Sequence, residues 1–75
     1  MSDKLLIFGK DTWPYTIAAR EAFKKQGREI EYFNVTADAD KMKTMLTYSE
    51  GIRKVPVIVD HDDVTVGFDG GTWRV

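Results

Sequence analysis

The chain has 75 residues, a formal net charge of −1 and a hydrophobic share of 43%, which describes one small compact domain near the lower size limit for a self-sufficient core. Its 11 basic and 12 acidic residues argue against a nucleic-acid footprint and against electrostatic membrane binding, both of which need a basic excess on one face. With no cysteine there is no disulfide and no thiolate metal site, so packing alone must hold the fold.

Residues 4–8 end at Gly9 and read as a strand buried on both faces. The run Leu5 to Phe8 is far too short to span a bilayer or form a signal-peptide core, so the expected location is the cytoplasm. Asp11 and Thr12 offer capping side chains, and Pro14 fits a first helical turn. Tyr15, Ala18, Ala19, Ala22 and Phe23 then follow helical spacing, with Lys24 and Lys25 in the last turn and Gly27 as the stop.

Residues 29–35 predict a second strand, parallel to the first through a βαβ crossover. A second helix is expected at about 38–50. Asp38 or Thr36 caps it, Met42, Met45, Leu46 and Ser49 lie on one face, and Gly51 ends it. Val55 to Val59 form a third strand with a proline at its start, and Val64, Val66 and Phe68 alternate as a fourth. The short polar turn Asp60-His61-Asp62-Asp63 makes these two an antiparallel hairpin. That turn lacks the length and glycine of a calcium loop and has one histidine only, so no metal site is expected. The order is β-α-β-α-β-β, an α/β architecture with a four-stranded mixed sheet and little room for a helix after Gly70 and Gly71.

This order, with Trp13-Pro14-Tyr15-Thr16 opening the first helix, resembles glutaredoxin and its thioredoxin-like fold. The family's motif there is Cys-Pro-Tyr-Cys or a monothiol variant. Lys10 three residues earlier, Val55-Pro56 before the third strand, and Gly67-Phe68 followed by Asp69-Gly70-Gly71 agree in position. The resemblance covers nearly all of the chain, as one glutaredoxin-like domain over residues 1–75. It departs from the family where both motif cysteines are replaced, by Trp13 and Thr16, and where the closing helix is absent or cut short.

The resemblance implies thiol–disulfide exchange with glutathione or with disulfide-containing proteins, by a monomer. The catalytic positions are 13 and 16. A helix start stabilises a thiolate there, but indole is a donor only and does not ionise near neutral pH. The chain as written is therefore expected to be redox-silent, and iron–sulfur binding, which needs a thiolate, is excluded. Some glutaredoxin-like proteins carry selenocysteine at this position, encoded by UGA, one base from the tryptophan codon. Trp13 then stands where selenocysteine or cysteine belongs. Thr16 in place of the second cysteine implies a monothiol mechanism, in which its hydroxyl either hydrogen-bonds the nucleophile or is an ordinary first-turn threonine.

The resemblance also implies the ligand contacts. Val55, before a cis Pro56, pairs strand to strand with the cysteinyl part of glutathione. Lys10, with Arg53 or Lys54, holds a carboxylate. The Asp69 and Gly70 N–H groups form an anion site. Tyr15 either stacks beside the peptide or packs as a core aromatic. Two other readings remain open: a non-enzymatic module that binds glutathione or a protein, and a redoxin reduced by thioredoxin reductase.

Overall fold

The computed structural model describes residues 4–75. Its elements are β1 (Leu5–Gly9), α1 (Pro14–Lys25), β2 (Ile30–Asn34), α2 (Ala39–Tyr48), β3 (Lys54–Val55), β4 (Val57–Asp60), β5 (Asp63–Val66) and β6 (Trp73–Arg74). The main sheet has the order β2-β1-β4-β5, and β3 pairs with β6 in a separate two-stranded sheet. β1 runs parallel to β2, with Leu5 opposite Ile30. β4 runs antiparallel to β1, with Ile7 opposite Ile58. β5 closes the edge as an antiparallel hairpin with β4.

The period of two along β1 divides the core. Phe8 faces one side with Val35, Met45, Val55, Val57 and Val59, and Met42 and Leu46 of α2 pack there. Leu5 and Ile7 face the other side with Ala19 of α1 and Ile58, and Phe23 and Phe68 close over them. Leu5, Ile7 and Phe8 are fully buried, and burial of a side chain of this size contributes about 1.5–3 kcal/mol relative to exposure.

The helix ends follow the sequence signals in part. The Gly27 N–H donates to the Lys24 carbonyl, and the Arg28 N–H to that of Phe23. With Gly27 left-handed, this pair of bonds is a Schellman stop. Asp38 caps α2 by accepting from the Asp40 and Lys41 N–H groups, and Met45 and Ser49 are buried on the expected face.

The start of α1 differs from expectation. Trp13 is the N-cap residue and no side chain caps the helix, because the Asp11 carboxylate accepts from the Tyr32 hydroxyl instead, at 2.5 Å. The buried face is Thr16 and Ala19, with Ala22 and Phe23 half-buried, while Tyr15 and Ala18 face outward. The expected third strand is broken at Pro56 into β3 and β4, and the Val55–Pro56 peptide is cis. The fourth strand stops at Val66, and Phe68 instead bridges to Gly71. β6 has no counterpart in the sequence reading.

Candidate active site

The loop after β1 brings residue 13 to one end of the sheet. The Trp13 N–H donates to the Lys10 carbonyl at 3.0 Å, and the Trp13 carbonyl accepts from Thr16 and Ile17 at 3.0 and 3.2 Å. These are the first bonds of α1, so the side chain of residue 13 projects from the helix start, where the macrodipole favours negative charge. The indole lies among aromatics, 5.3 Å from the Tyr15 ring and 5.2 Å from that of Trp73, centre to centre. Its Nε1–H is buried and has no hydrogen-bond acceptor among the described residues. A buried donor left in that state costs about 1–3 kcal/mol.

Thr16 lies directly behind. It is fully buried, and its hydroxyl accepts from the Lys10 N–H at a long 3.4 Å. The side chain fills the space over Gly9, where any Cβ would overlap the Thr16 methyl. Tyr15 is 37% exposed and lays its ring on Gly71, so closely that a Cβ at that position would sit inside the ring. Tyr15 is therefore a cover over the glycine loop and not part of the core.

That loop is a two-residue turn. Phe68 and Gly71 exchange N–H to carbonyl bonds of 3.2 and 2.9 Å, with Asp69 and Gly70 both left-handed at φ 52° and 81°. This is type I′ geometry, in which a glycine at the second position is preferred. The bonds of the turn use the N–H groups of Phe68 and Gly71, so those of Asp69 and Gly70 lie outside them. The loop is tied to the step before β4 by the Gly67 N–H, which donates to the Pro56 carbonyl at 2.7 Å.

Lys10 and Arg53 meet at the same end. The Lys10 ammonium stands 5.1 Å over the Trp73 ring, and Arg53 Nε donates to the Val75 carbonyl at 2.9 Å. Both line a groove of about 690 Å³ with Lys43, Arg74, Met42 and Leu46. Its charged lining residues are all cationic, which suits a carboxylate ligand. Lys54 is exposed in β3 and does not line this groove. Val55 and Pro56 are buried, and Val55 lies opposite Trp73 of β6. The structure thus gathers Lys10, Trp13, Tyr15, Thr16, Arg53, Val55, Pro56 and the Asp69–Gly70 turn at one end, with Lys54 at the margin. Trp73 belongs to this group, although sequence reasoning missed it; an aromatic just after the glycine loop was the available signal.

Among the described residues no group of three or more histidine, aspartate or glutamate side chains is placed to hold a metal ion. Among the described residues no helix is long and apolar enough to cross a membrane.

A search of curated proteins gave no match. Among solved structures, a glutaredoxin from Archaeoglobus fulgidus superposes with a TM-score of 0.77 at 22% identity, over 92% of this chain and 78% of that one. At that identity the likeness establishes the thioredoxin-like fold. The glutaredoxin family model matches residues 5–64, a span that holds the helix start, the Val55–Pro56 step, strands β1, β2 and β4 and the first half of β5, and on that match the chain belongs to the glutaredoxin family.

Proposed function

We propose that this is a thiol–disulfide oxidoreductase module linked to glutathione, and that it is redox-silent while Trp13 holds the nucleophile position. The observation that carries the reading is the place of residue 13: an uncapped helix start beside the cationic groove and the Val55–Pro56 step, yet occupied by an indole whose N–H finds no acceptor. A thiolate or selenolate there would gain from the helix end, whereas the indole leaves a polar group unpaired.

With such a nucleophile the exchange balances in two steps. The thiolate attacks the glutathionyl sulfur of a mixed disulfide. A new sulfur–sulfur (or selenium–sulfur) bond forms, the old one breaks, and the substrate leaves as its thiolate. A second glutathione thiolate attacks the bound glutathionyl sulfur, which frees residue 13 and yields glutathione disulfide. Lys10 and Arg53, with Lys54 at the margin, supply cations for a ligand carboxylate, the Asp69 and Gly70 N–H groups face a second one, and Tyr15 borders the peptide. Thr16, buried behind the helix start, leaves no second thiol, so the exchange is monothiol.

Trp13→Cys tests this. The variant should show a thiol pKa below the reference of about 8.5 and should reduce a glutathionylated peptide, while the parent chain does not. An unshifted pKa with no turnover removes the reading. The genomic codon at position 13 separates its versions: TGA means a selenoprotein, a cysteine codon means ordinary glutaredoxin chemistry, and TGG means a natural protein without a nucleophile.

A second reading, a non-enzymatic module that binds glutathione or a protein, is favoured by the packing of Trp13 against Trp73 and Tyr15. In that case Trp13 is native and its ring packs against the ligand or partner. Glutathione that shifts the Lys10, Val55 and Asp69 amides in the parent chain supports a glutathione site; silence favours a redoxin served by thioredoxin reductase.

A further inference from the structure

β6 lies where the ligand is expected. It runs antiparallel to β3, with Trp73 opposite Val55 and Arg74 opposite Lys54. The Val75 N–H donates to the Arg53 carbonyl at 3.0 Å, and bonded pairs alternate along an antiparallel ladder. Arg53–Val75 and Val55–Trp73 are therefore the bonded pairs, so the main-chain groups of Val55 are turned onto Trp73. The site's side chains are engaged in the same way: Lys10 over the Trp73 ring, Trp13 against that ring, and Arg53 on the Val75 carbonyl.

This strand is nevertheless held lightly. Trp73 is 47% exposed, and Lys54 and Arg74 are exposed as well. Val75 is half-buried and packs against the core. β3 and β6 form a sheet of their own, separate from the sheet that carries the core. Short exposed pairings of this kind open locally without unfolding the whole chain.

We infer that β6 is an intramolecular competitor for the Val55 groove, and that it must leave β3 before a glutathionyl or other extended peptide ligand can pair there. This rests on the reading that such a ligand pairs with Val55. The apparent affinity is then the intrinsic affinity reduced by the fraction of time β6 is open.

The experiment is a titration of the full chain with glutathione, followed by amide shifts, on the parent, Trp73→Ala and Trp73→Pro. Proline removes the N–H that Trp73 gives to Val55, and alanine removes only the ring. If β6 is closed about ten times as often as it is open, Trp73→Pro should bind about tenfold more tightly and Trp73→Ala by a smaller factor. In the parent, saturating glutathione should speed hydrogen exchange at the Val75 N–H while the amides of β1 and β4 are unchanged. Should proline prevent folding, the alanine variant and the exchange readout still decide. Equal affinities with unchanged Val75 exchange overturn the inference and leave the groove reading intact. No binding to any of the three chains overturns the groove reading and the inference with it.

Discussion

Pro56 separates two strands of opposite character. After it, β4 is buried on both faces, with Val57, Ile58 and Val59 at 5% exposure or less, and it pairs on both edges with β1 and β5. Before it, β3 has one buried residue and one exposed, and its partner β6 is exposed along its length. Apolar side chains on both faces commit β4 to one arrangement, because any other would leave them in water. The β3–β6 pair carries lysine, arginine and a half-exposed tryptophan, which lose much less when the strands part. A strand paired on both edges thus meets at a single residue a strand whose only partner among the described residues, β6, is exposed, and the candidate site is built on the second while the first holds it in place.

The largest effect that could break this comparison is in the rigid half. Phe8 is fully buried and stacks on Phe33 with ring centres 5.2 Å apart. Phe8→Ala should cost about 3–5 kcal/mol of unfolding free energy in a denaturant titration. The same truncation at Trp73, nearly half exposed, should cost about 1 kcal/mol or less. Equal costs would mean that β6 is as integral to the fold as β1.

What was legible in the sequence follows the same division. Local signals give β1, both helices, the Gly27 stop, Asp38 as one of two candidate caps and the β4–β5 hairpin, because each depends on residues close in the chain; at α2 the first left-handed residue after the helix is Glu50, one position before the expected Gly51. The Val55–Pro56 step and the glycine loop were placed through the resemblance. The pairing of Val55 with Trp73 was not legible. A two-residue strand has no alternation to detect, and its partner lies far off in sequence. Capping at α1 was misread for a related reason: Asp11 suits a helix start by type, but Tyr32, brought over by the β1–β2 pairing, takes its carboxylate. In α1 the outward turn of Tyr15 was decided by Gly71, a contact that no helical period contains.

An intermediate effect sharpens the comparison inside the site. Gly71→Ala forces a Cβ into the Tyr15 ring. The ring must move or the turn must open, at a cost of about 1–3 kcal/mol by analogy with overpacked cores. The signature is local: the Tyr15 ring resonances should shift in a spectrum where β1 and β4 amides hold. A variant as stable as the parent, with Tyr15 unmoved, would show that the ring does not rest on the loop.

The smallest effects are electrostatic, and they tie the rigid half to its surroundings at opposite ends of the pH scale. The Tyr32 hydroxyl is pushed well above its ordinary range by burial first and then by the hydrogen bond to Asp11. Its folded pKa is raised, so its contribution is complete below about pH 10, the ordinary tyrosine value, and is lost as pH climbs above that. Tyr32→Phe should remove that alkaline loss. Asp60, in β4, behaves in the opposite sense. Arg28 grips both carboxylate oxygens, at 2.7 and 3.1 Å, and this pairing lowers the Asp60 pKa against a weaker opposing effect of burial. A lowered folded pKa contributes above the ordinary carboxylate range and is lost as pH falls through the folded value, below about pH 4. The Asp60→Asn variant should therefore lose less stability than the parent on acidification across that window, measured by denaturant midpoints. Both partners are open to water, so solvent screens the pair and the difference should shrink further in high salt. A salt-independent difference would mean that the Arg28–Asp60 pair is shielded from solvent, which would extend the rigid half of the molecule to the hairpin turn.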